Sequence, residues 1–336
     1  MMRIRRGVTV VLALSLVLGA WAFTSRATPQ TPAPLVSAVE SVAISVGDMD
    51  RAVDFYTGVL FFDKVSDVEV SGEPYERLHA VPGARARIVR LRLGSEHLDL
   101  VEYLAPRGRP LPANSRSNDR WFQHVAIIVN DMDQAYAWLR RHKVKPVSPE
   151  PQRLPDWNVN AAGIRAFYFQ DPDGHPLEIL QFPPDKGDVR WQRPSRSVFL
   201  GIDHTAIVVD DTDRSLAFYR DALGLRAAGG SENHGPEQER LNDVAGARLR
   251  ITTLRAELGP AIELLQYLTP RDGRPLPSDA RPNDLVAWQT RLIVRSIDDA
   301  RSTFLGRFPV LSAGVADGFT ARDPDGHLLL LGTRSR

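Results

Sequence analysis

Val39-Glu-Ser-Val-Ala-Ile-Ser-Val-Gly-Asp-Met-Asp-Arg-Ala-Val-Asp-Phe-Tyr56 aligns without a gap on Ile202-Asp-His-Thr-Ala-Ile-Val-Val-Asp-Asp-Thr-Asp-Arg-Ser-Leu-Ala-Phe-Tyr219, so the two halves of the chain are duplicates. Two further pairs of segments keep the same order. Pro110-Leu-Pro with Asn118-Asp119 returns as Pro275-Leu-Pro with Asn283-Asp284, and Asp171-Pro-Asp-Gly-His175 returns as Asp323-Pro-Asp-Gly-His327. Within the first half, His124-Val-Ala-Ile-Ile-Val-Asn-Asp-Met-Asp133 echoes Ser41-Val-Ala-Ile-Ser-Val-Gly-Asp-Met-Asp50, which makes four modules rather than two.

Each module reads alike. Alternating apolar positions such as Val125, Ile127 and Val129 predict a strand with one buried face, and the Asp residues that end it can cap a helix. That helix carries Met132, Ala135, Tyr136 and Leu139 at helical spacing. Strand-like runs follow at Ala84–Leu93 and Leu98–Tyr103 in the first module, and at Ala166–Phe169 and Leu177–Phe182 in the second. Asp-Pro-Asp-Gly between strands is turn chemistry, Pro fixing φ and Gly accepting a positive one. The expected fold is α+β: four βαβββ modules whose half-buried sheets pair into two cup-shaped curved mixed sheets.

The remaining composition narrows the function. Among 336 residues, 42 Lys+Arg stand against 41 Asp+Glu, so no basic excess points to nucleic acid as a partner. With no cysteine there is no disulfide, thiolate nucleophile or Cys-ligated zinc, and any metal must sit on His, Asp or Glu. Arg3, Arg5 and Arg6 precede an apolar run from Gly7 to Phe23, with Ala20-Trp-Ala22 at a cleavage-like position. Residues 1–27 are therefore expected to be a signal peptide, or an N-terminal anchor if left uncleaved, and the location periplasmic or secreted. A Thr/Pro/Ala-rich linker is expected at 28–38, a first domain of modules one and two at 39–182, a linker at 183–200, and a second domain of modules three and four at 201–334. The chain is expected to be a monomer or homodimer acting on a small molecule.

His204-Thr-Ala-Ile-Val-Val followed by Ala217-Phe-Tyr219, Ile262-Glu-Leu264, and Phe167-Tyr-Phe-Gln-Asp-Pro-Asp-Gly-His-Pro-Leu-Glu178 resemble the vicinal oxygen chelate superfamily, and the resemblance covers all four modules. That superfamily includes glyoxalase I, extradiol dioxygenases, methylmalonyl-CoA epimerase and the bleomycin and fosfomycin resistance proteins. The resemblance implies a metal ligand His on the first strand and Glu on the last strand of a module. Carried over, the first module has Ser41 and Asp99, the second His124 and Glu178, the third His204 and Glu263, the fourth Gln289 and Leu330. Only the two central modules are complete.

The residues themselves support the central four. His124 shares a strand face with Ala126 and Ile128, and His204 with Ala206 and Val208, small or slender neighbours that leave room beside an imidazole. Glu178 and Glu263 are flanked by apolar residues, where an unpaired carboxylate would cost several kcal/mol on burial. The expected pairing is module two with three and module one with four, as in the fused glyoxalases it resembles, which gathers His124, Glu178, His204 and Glu263 in one cup; the alternative, sequential pairing, would split them. Two imidazoles and two carboxylates suit one divalent ion among Ni, Zn, Co, Mn and Fe.

Such an ion chelates neighbouring oxygens while Glu178 or Glu263 removes an adjacent proton, the lyase or isomerase chemistry that the resemblance implies. Two other readings stand beside it. An Fe(II) extradiol-type dioxygenase would need a further His a few residues before Phe167, and Trp157–Arg165 has none. A metal-free ligand-sequestering protein would not require the four ligands. Glyoxalase I in the strict sense needs a cytosolic thiol, at odds with an export signal. Tyr168, Arg165, His234 and Trp157 are candidate substrate contacts, whereas His175 and His327, each following a turn, are expected to be structural.

Overall fold

The computed structural model describes residues 33–312 and 315–334; the expected leader at 1–27 lies outside them. Module one comprises β1 (Val36–Ser45), α1 (Met49–Gly58), β2 (Asp63–Ser71), α2 (Glu73–His79), β3 (Arg85–Leu93) and β4 (Glu96–Ala105). Module two comprises β5 (Gln123–Val129), α3 (Met132–Arg141), the short β6 (Lys145–Pro146) and β7 (Gln152–Arg153), β8 (Arg165–Gln170) and β9 (Pro176–Gln181). Module three follows with β10 (Phe199–Val208), α4 (Thr212–Leu216) running into a π-helical turn (Ala217–Ala222), β11 (Arg226–His234), α5 (Pro236–Asn242), β12 (Arg248–Arg255) and β13 (Ala261–Thr269). Module four has β14 (Trp288–Val294), α6 (Ile297–Phe304), β15 (Gly318–Arg322) and β16 (Leu328–Gly332).

The strand-ending acids act as read. Asp48, Asp131 and Asp211 each accept a backbone N–H from three residues on, Arg51, Gln134 and Arg214, at 3.0 Å, and Ser296 does the same for Asp299 at 3.1 Å. A cap of this kind is worth about 1 kcal/mol.

The strands form two mixed sheets, ordered β15-β16-β14-β1-β4-β3-β2 and β11-β12-β13-β10-β5-β9-β8-β6. The first joins module four to module one through the antiparallel β1–β14 pair; the second joins module three to module two through β10–β5. The halves 39–182 and 201–334 are thus halves of the repeat, while each sheet draws one module from either half. Across the outer faces, α1 and α3 close one apolar core over modules one and two, including Ile44, Tyr56, Ile127 and Phe167. Phe218, Phe304 and Phe319 centre another over modules three and four. Each such side chain contributes about 2 kcal/mol on burial.

The connections that carry the chain between sheets clasp one another. Arg274 donates to the buried Asp119 from its backbone N and Nε, both at 3.0 Å, and from Nη2 at 2.6 Å; Arg109 does the same to Asp284 at 2.8, 3.1 and 2.6 Å. A Cβ at Gly108 would lie 1.8 Å from Asn283 O, and one at Gly273 1.9 Å from Asn118 O. This explains the recurring Asn-Asp pairs.

Three expectations change. The fold begins at Val36 rather than Val39, because Val36 and Ala38 pair with Val294 and Ile293 and are buried. Helices α2 and α5 have no counterpart in the sequence reading; each starts after a positive-φ glycine, Gly72 or Gly235. The βαβββ unit is not uniform: module four has three strands, its Val310 making only an isolated bridge to Ala321, and module two has five, with two short strands where one is expected.

Candidate metal centre

The second sheet places β5, β9, β10 and β13 side by side, and period-2 alternation turns one face of each toward a cavity of about 410 Å³. Val125, Ile127 and Val129 point into the helix-covered core, so His124 points the other way; Leu177 and Ile179 do the same for Glu178. On β10 and β13, Ile207 and Leu264 bury outward while His204 and Glu263 line the cavity.

The four side chains converge. His124 Nε2 lies 3.2 Å from Glu178 Oε2, His204 Nε2 lies 3.5 Å from the same oxygen, and His204 Nε2 lies 3.5 Å from Glu263 Oε2. The imidazole centroids are 5.7 Å apart, and ligand atoms of His124, Glu178 and His204 all fall within 4.8 Å of one another. Glu263 is more open, with its Oε1 accepting from the Thr253 hydroxyl at 2.8 Å.

These residues fit a divalent ion. Nδ1 of His124 is buried with no hydrogen-bond partner among the described residues, and Nε2 faces only Glu178 Oε2 at 3.2 Å, an arrangement costly for a ring without a ligand. Burial opposes ionisation of Glu178, yet hydrogen bonds and charge from His124 and His204 outweigh it and hold its carboxyl below the ordinary value. Burial likewise opposes a charged His204, but Glu263, Asp203 and Glu178 outweigh it and raise its pKa well above the usual. The carboxylates gather positive charge at the point where the nitrogens converge, and a cation bound by neutral imidazoles would answer the same field.

Asp203 also belongs to the site, a residue that strand alternation alone would exclude. On a regular strand it would face away from its neighbour His204; a bulge in β10 between Ile202 and His204 turns it back. Its Oδ2 lies 3.1 Å from His204 Nδ1, while Oδ1 accepts from Trp191 Nε1 at 3.1 Å and Arg255 Nη2 at 3.2 Å. Fixing Nδ1 as the donor leaves Nε2 as the ligating nitrogen. The recurrence of an acid, Glu40 and Asp203, before the strand's ligand position was the available signal.

Of the candidate substrate contacts, Tyr168 lines the cavity, its ring 4.8 Å from that of His124. The structure does not bring the other three in. Arg165 pairs with Asp133 at 2.6 and 3.0 Å, because Asp133 in the first turn of α3 offers both carboxylate oxygens. Trp157, 53% exposed, stacks on His234 at 4.3 Å outside the cavity wall. The Trp157 loop is anchored to β11 by Asn158 to Asn233 at 2.6 Å and by Asn160 to Gly230 O at 2.7 Å.

Known proteins share this architecture. A family model described as the Glyoxalase/Bleomycin resistance protein/Dioxygenase superfamily matches residues 38–179 and 201–304. A 2-epi-5-epi-valiolone epimerase from an Actinomyces species is 39% identical over 176 residues, 49% of this chain and 92% of that protein. A lactoylglutathione lyase of Arabidopsis thaliana is 28% identical over 185 residues, 55% of this chain and 54% of the lyase. In fold, a glyoxalase I variant from Zea mays superposes with a TM-score of 0.57 at 17% identity, covering 88% of this chain and 92% of that one. A putative dioxygenase from Bacillus subtilis gives 0.55 at 16%, covering 90% and 87%.

Proposed function

From the premise that the chain belongs to the glyoxalase/bleomycin resistance protein/dioxygenase superfamily, whose curated relatives matched here are enzymes, we propose that it is a metal-dependent isomerase, of epimerase type, acting on a small uncharged polyoxygenated ketone. The observation that carries this reading is the convergence of His124, Glu178 and His204 within 4.8 Å in a buried cup.

His124, Glu178 and His204 would hold the ion, with Glu263 beside them. When bound, a divalent ion supplies Lewis-acid polarisation of a carbonyl and chelation of the neighbouring oxygen. Glu263 Oε2, on the open side of the cluster and steadied through Oε1 by Thr253, removes the proton from the carbon beside the carbonyl and returns it to that carbon. A proton delivered to the opposite face, for which Glu178, the other carboxylate of the cluster, would be the donor, inverts the centre; return from Glu263 to the same face restores it. Tyr168 walls the pocket and limits water.

The cavity supports the substrate class. Apart from the two imidazoles, Arg255 is the one basic side chain on the described wall, and Asp203 engages it. A thiol tripeptide with two carboxylates would need fixed cations that this wall lacks. A volume of about 410 Å³ suits a single ring with its hydroxyls. No histidine besides His124 and His204 stands on the described wall to serve iron-dependent ring cleavage.

The test is incubation with 2-epi-5-epi-valiolone in D2O, after loading with each of Ni, Zn, Co, Mn and Fe. Deuterium at the carbon next to the carbonyl, lost in Glu263→Gln with metal retained, is the expected result; a protein that binds none of these ions at neutral pH would overturn the reading. The proposal extends to export: the mature protein from cells should begin close to Phe23, and Met1 retained on cytosolic material would remove that part.

A further inference from the structure

The concave face of the other sheet encloses a larger cavity, about 1050 Å³. Ser41, Asp99, Gln289 and Leu330, which occupy the four ligand positions of modules one and four, all stand on its wall. They do not make an ion site. Leu330 has no donor atom, and Asp99 is fully engaged: it accepts Arg90 Nε at 2.7 Å, Arg90 Nη2 at 3.0 Å and Ser41 Oγ at 2.6 Å. Register explains the exchange. Arg90 pairs with Asp99 across β3–β4 where Thr253 pairs with Glu263 across β12–β13, so a guanidinium reaches the carboxylate that a hydroxyl holds in the metal cup.

We propose that this cup is a second, metal-free binding site for a neutral polyhydroxylated molecule of the size of a cyclitol or disaccharide. Charge comes first in the argument. Arg90 is balanced by Asp99, Arg291 lies 2.5 Å from Glu40 through Nε, and the rim carries Asp317 and Arg334, one of each sign. His79 on the roof stays neutral near pH 7, since burial and the Arg291 charge lower its pKa to about 4. These charges cancel once Glu40, which pairs with Arg291 but is not itself on the wall, is counted.

It does offer unused hydrogen-bonding edges. Arg90 Nη1 and the terminal nitrogens of Arg291 have no acceptor among the described residues, and guanidinium N–H groups on a cavity wall call for ligand oxygens. Ser45, Ser66, Tyr103 and Thr333 add hydroxyls that both donate and accept. Between them Ile88, Val101 and Leu330 give apolar surface for the C–H faces of a ring. Paired guanidinium and carboxylate edges, hydroxyls and apolar strips in alternation match hydroxyl-bearing rings, not ions or lipids.

The experiment is saturation-transfer difference NMR of the full chain with myo-inositol and with sucrose at millimolar concentration. Transfer to at least one probe is expected, unchanged in Glu178→Gln, which weakens the other cup. Arg90→Leu combined with Asp99→Leu removes the pair together and leaves no orphan charge, and affinity should fall at least roughly tenfold. Ser66→Trp on the outer β2 strand narrows the cup without touching that pair and should have the same effect, so a failure of the double variant to fold does not spoil the test. No transfer to either probe, or transfer lost in Glu178→Gln and kept in Ser66→Trp, would overturn the proposal.

Discussion

Asp171→Ala probes the joint on which both sheets hang. Asp171 Oδ1 accepts the backbone N–H groups of Asp173 and His175, each at 2.9 Å, and Oδ2 meets Tyr56 Oη at 3.2 Å and His175 Nδ1 at 2.8 Å. His175 Nε2 lies 2.9 Å from Leu285 O, so both ring nitrogens face acceptors and the imidazolium is the form that satisfies them. One buried cluster thus ties α1 of module one, the turn of module two and the connection into module four. Burial acts to raise the Asp171 carboxyl, but the charge and hydrogen bonds of His175 outweigh it and the pKa is lowered. Burial acts to lower His175, but Asp171 outweighs it and the pKa is raised. Truncation leaves an uncompensated buried cation beside an orphaned phenol and two orphaned N–H groups, a loss of roughly 3–5 kcal/mol. At ~2 °C per kcal/mol for a fold of this size, Tm should drop by about 6–10 °C.

The pH dependence follows from the two directions. The Asp171 contribution is complete above its unfolded value and fades as pH falls through the lowered folded value; the His175 contribution is complete below its unfolded value and fades as pH rises through the raised folded one. The difference between wild type and Asp171→Ala is therefore largest between ~pH 4 and ~pH 6.5. Urea melts at pH 5.5 and pH 9 read it directly. A difference below ~1 kcal/mol at pH 5.5, or one as large at pH 9, would refute the charged-pair account.

Three other outcomes follow from the geometry. Glu178→Gln removes one charge from the ligand set without changing its size, so affinity for added Zn or Co should fall by about 10- to 100-fold in competition with a chelating dye. Asp203→Asn keeps the contact with Trp191 or Arg255 but weakens the hold on His204 Nδ1; the absorption spectrum of the Co-loaded protein should shift and affinity fall by roughly tenfold, whereas a merely structural role would leave the spectrum of the loaded protein unchanged. Gly273→Ala must displace Asn118 O from 1.9 Å, so the clasp opens and stability should fall by about 2 kcal/mol or more in denaturant melts, with Gly246→Ala, whose Cβ meets nothing within 4 Å, as the comparison for a backbone cost alone.

Much of this was legible because the repeat prints each signal more than once. A single His on a strand is ordinary core; His124 and His204 at matching positions, each opposite an apolar face, fixed which way the rings point. Counting complete ligand sets also led to the pairing that the sheets adopt, module two with three and module one with four. What escaped were features without a period. The bulge that turns Asp203 inward is a backbone shift of one residue, invisible to alternation. Arg165 was drawn to Asp133, 32 residues away in sequence, by a helix placement that no local pattern records. Trp157 stacks on His234 because Asn158 and Asn160 dock the Trp157 loop onto β11, again a tertiary contact.

The two cups show how one register carries two chemistries. The position that holds His204 in module three holds Ser41 in module one; Glu263 becomes Asp99, and the facing Thr253 becomes Arg90. Shortening Glu to Asp withdraws the carboxylate by one methylene toward its own strand, where Arg90 on the neighbouring strand can grip both oxygens. Ser41 is small enough to bond that carboxylate at 2.6 Å, in the space an imidazole fills in the other cup. A buried carboxylate needs a cation in either case. In modules two and three the converging lone pairs fit a cation taken from solution; in module one the chain supplies the positive charge covalently, and the cavity above is wider.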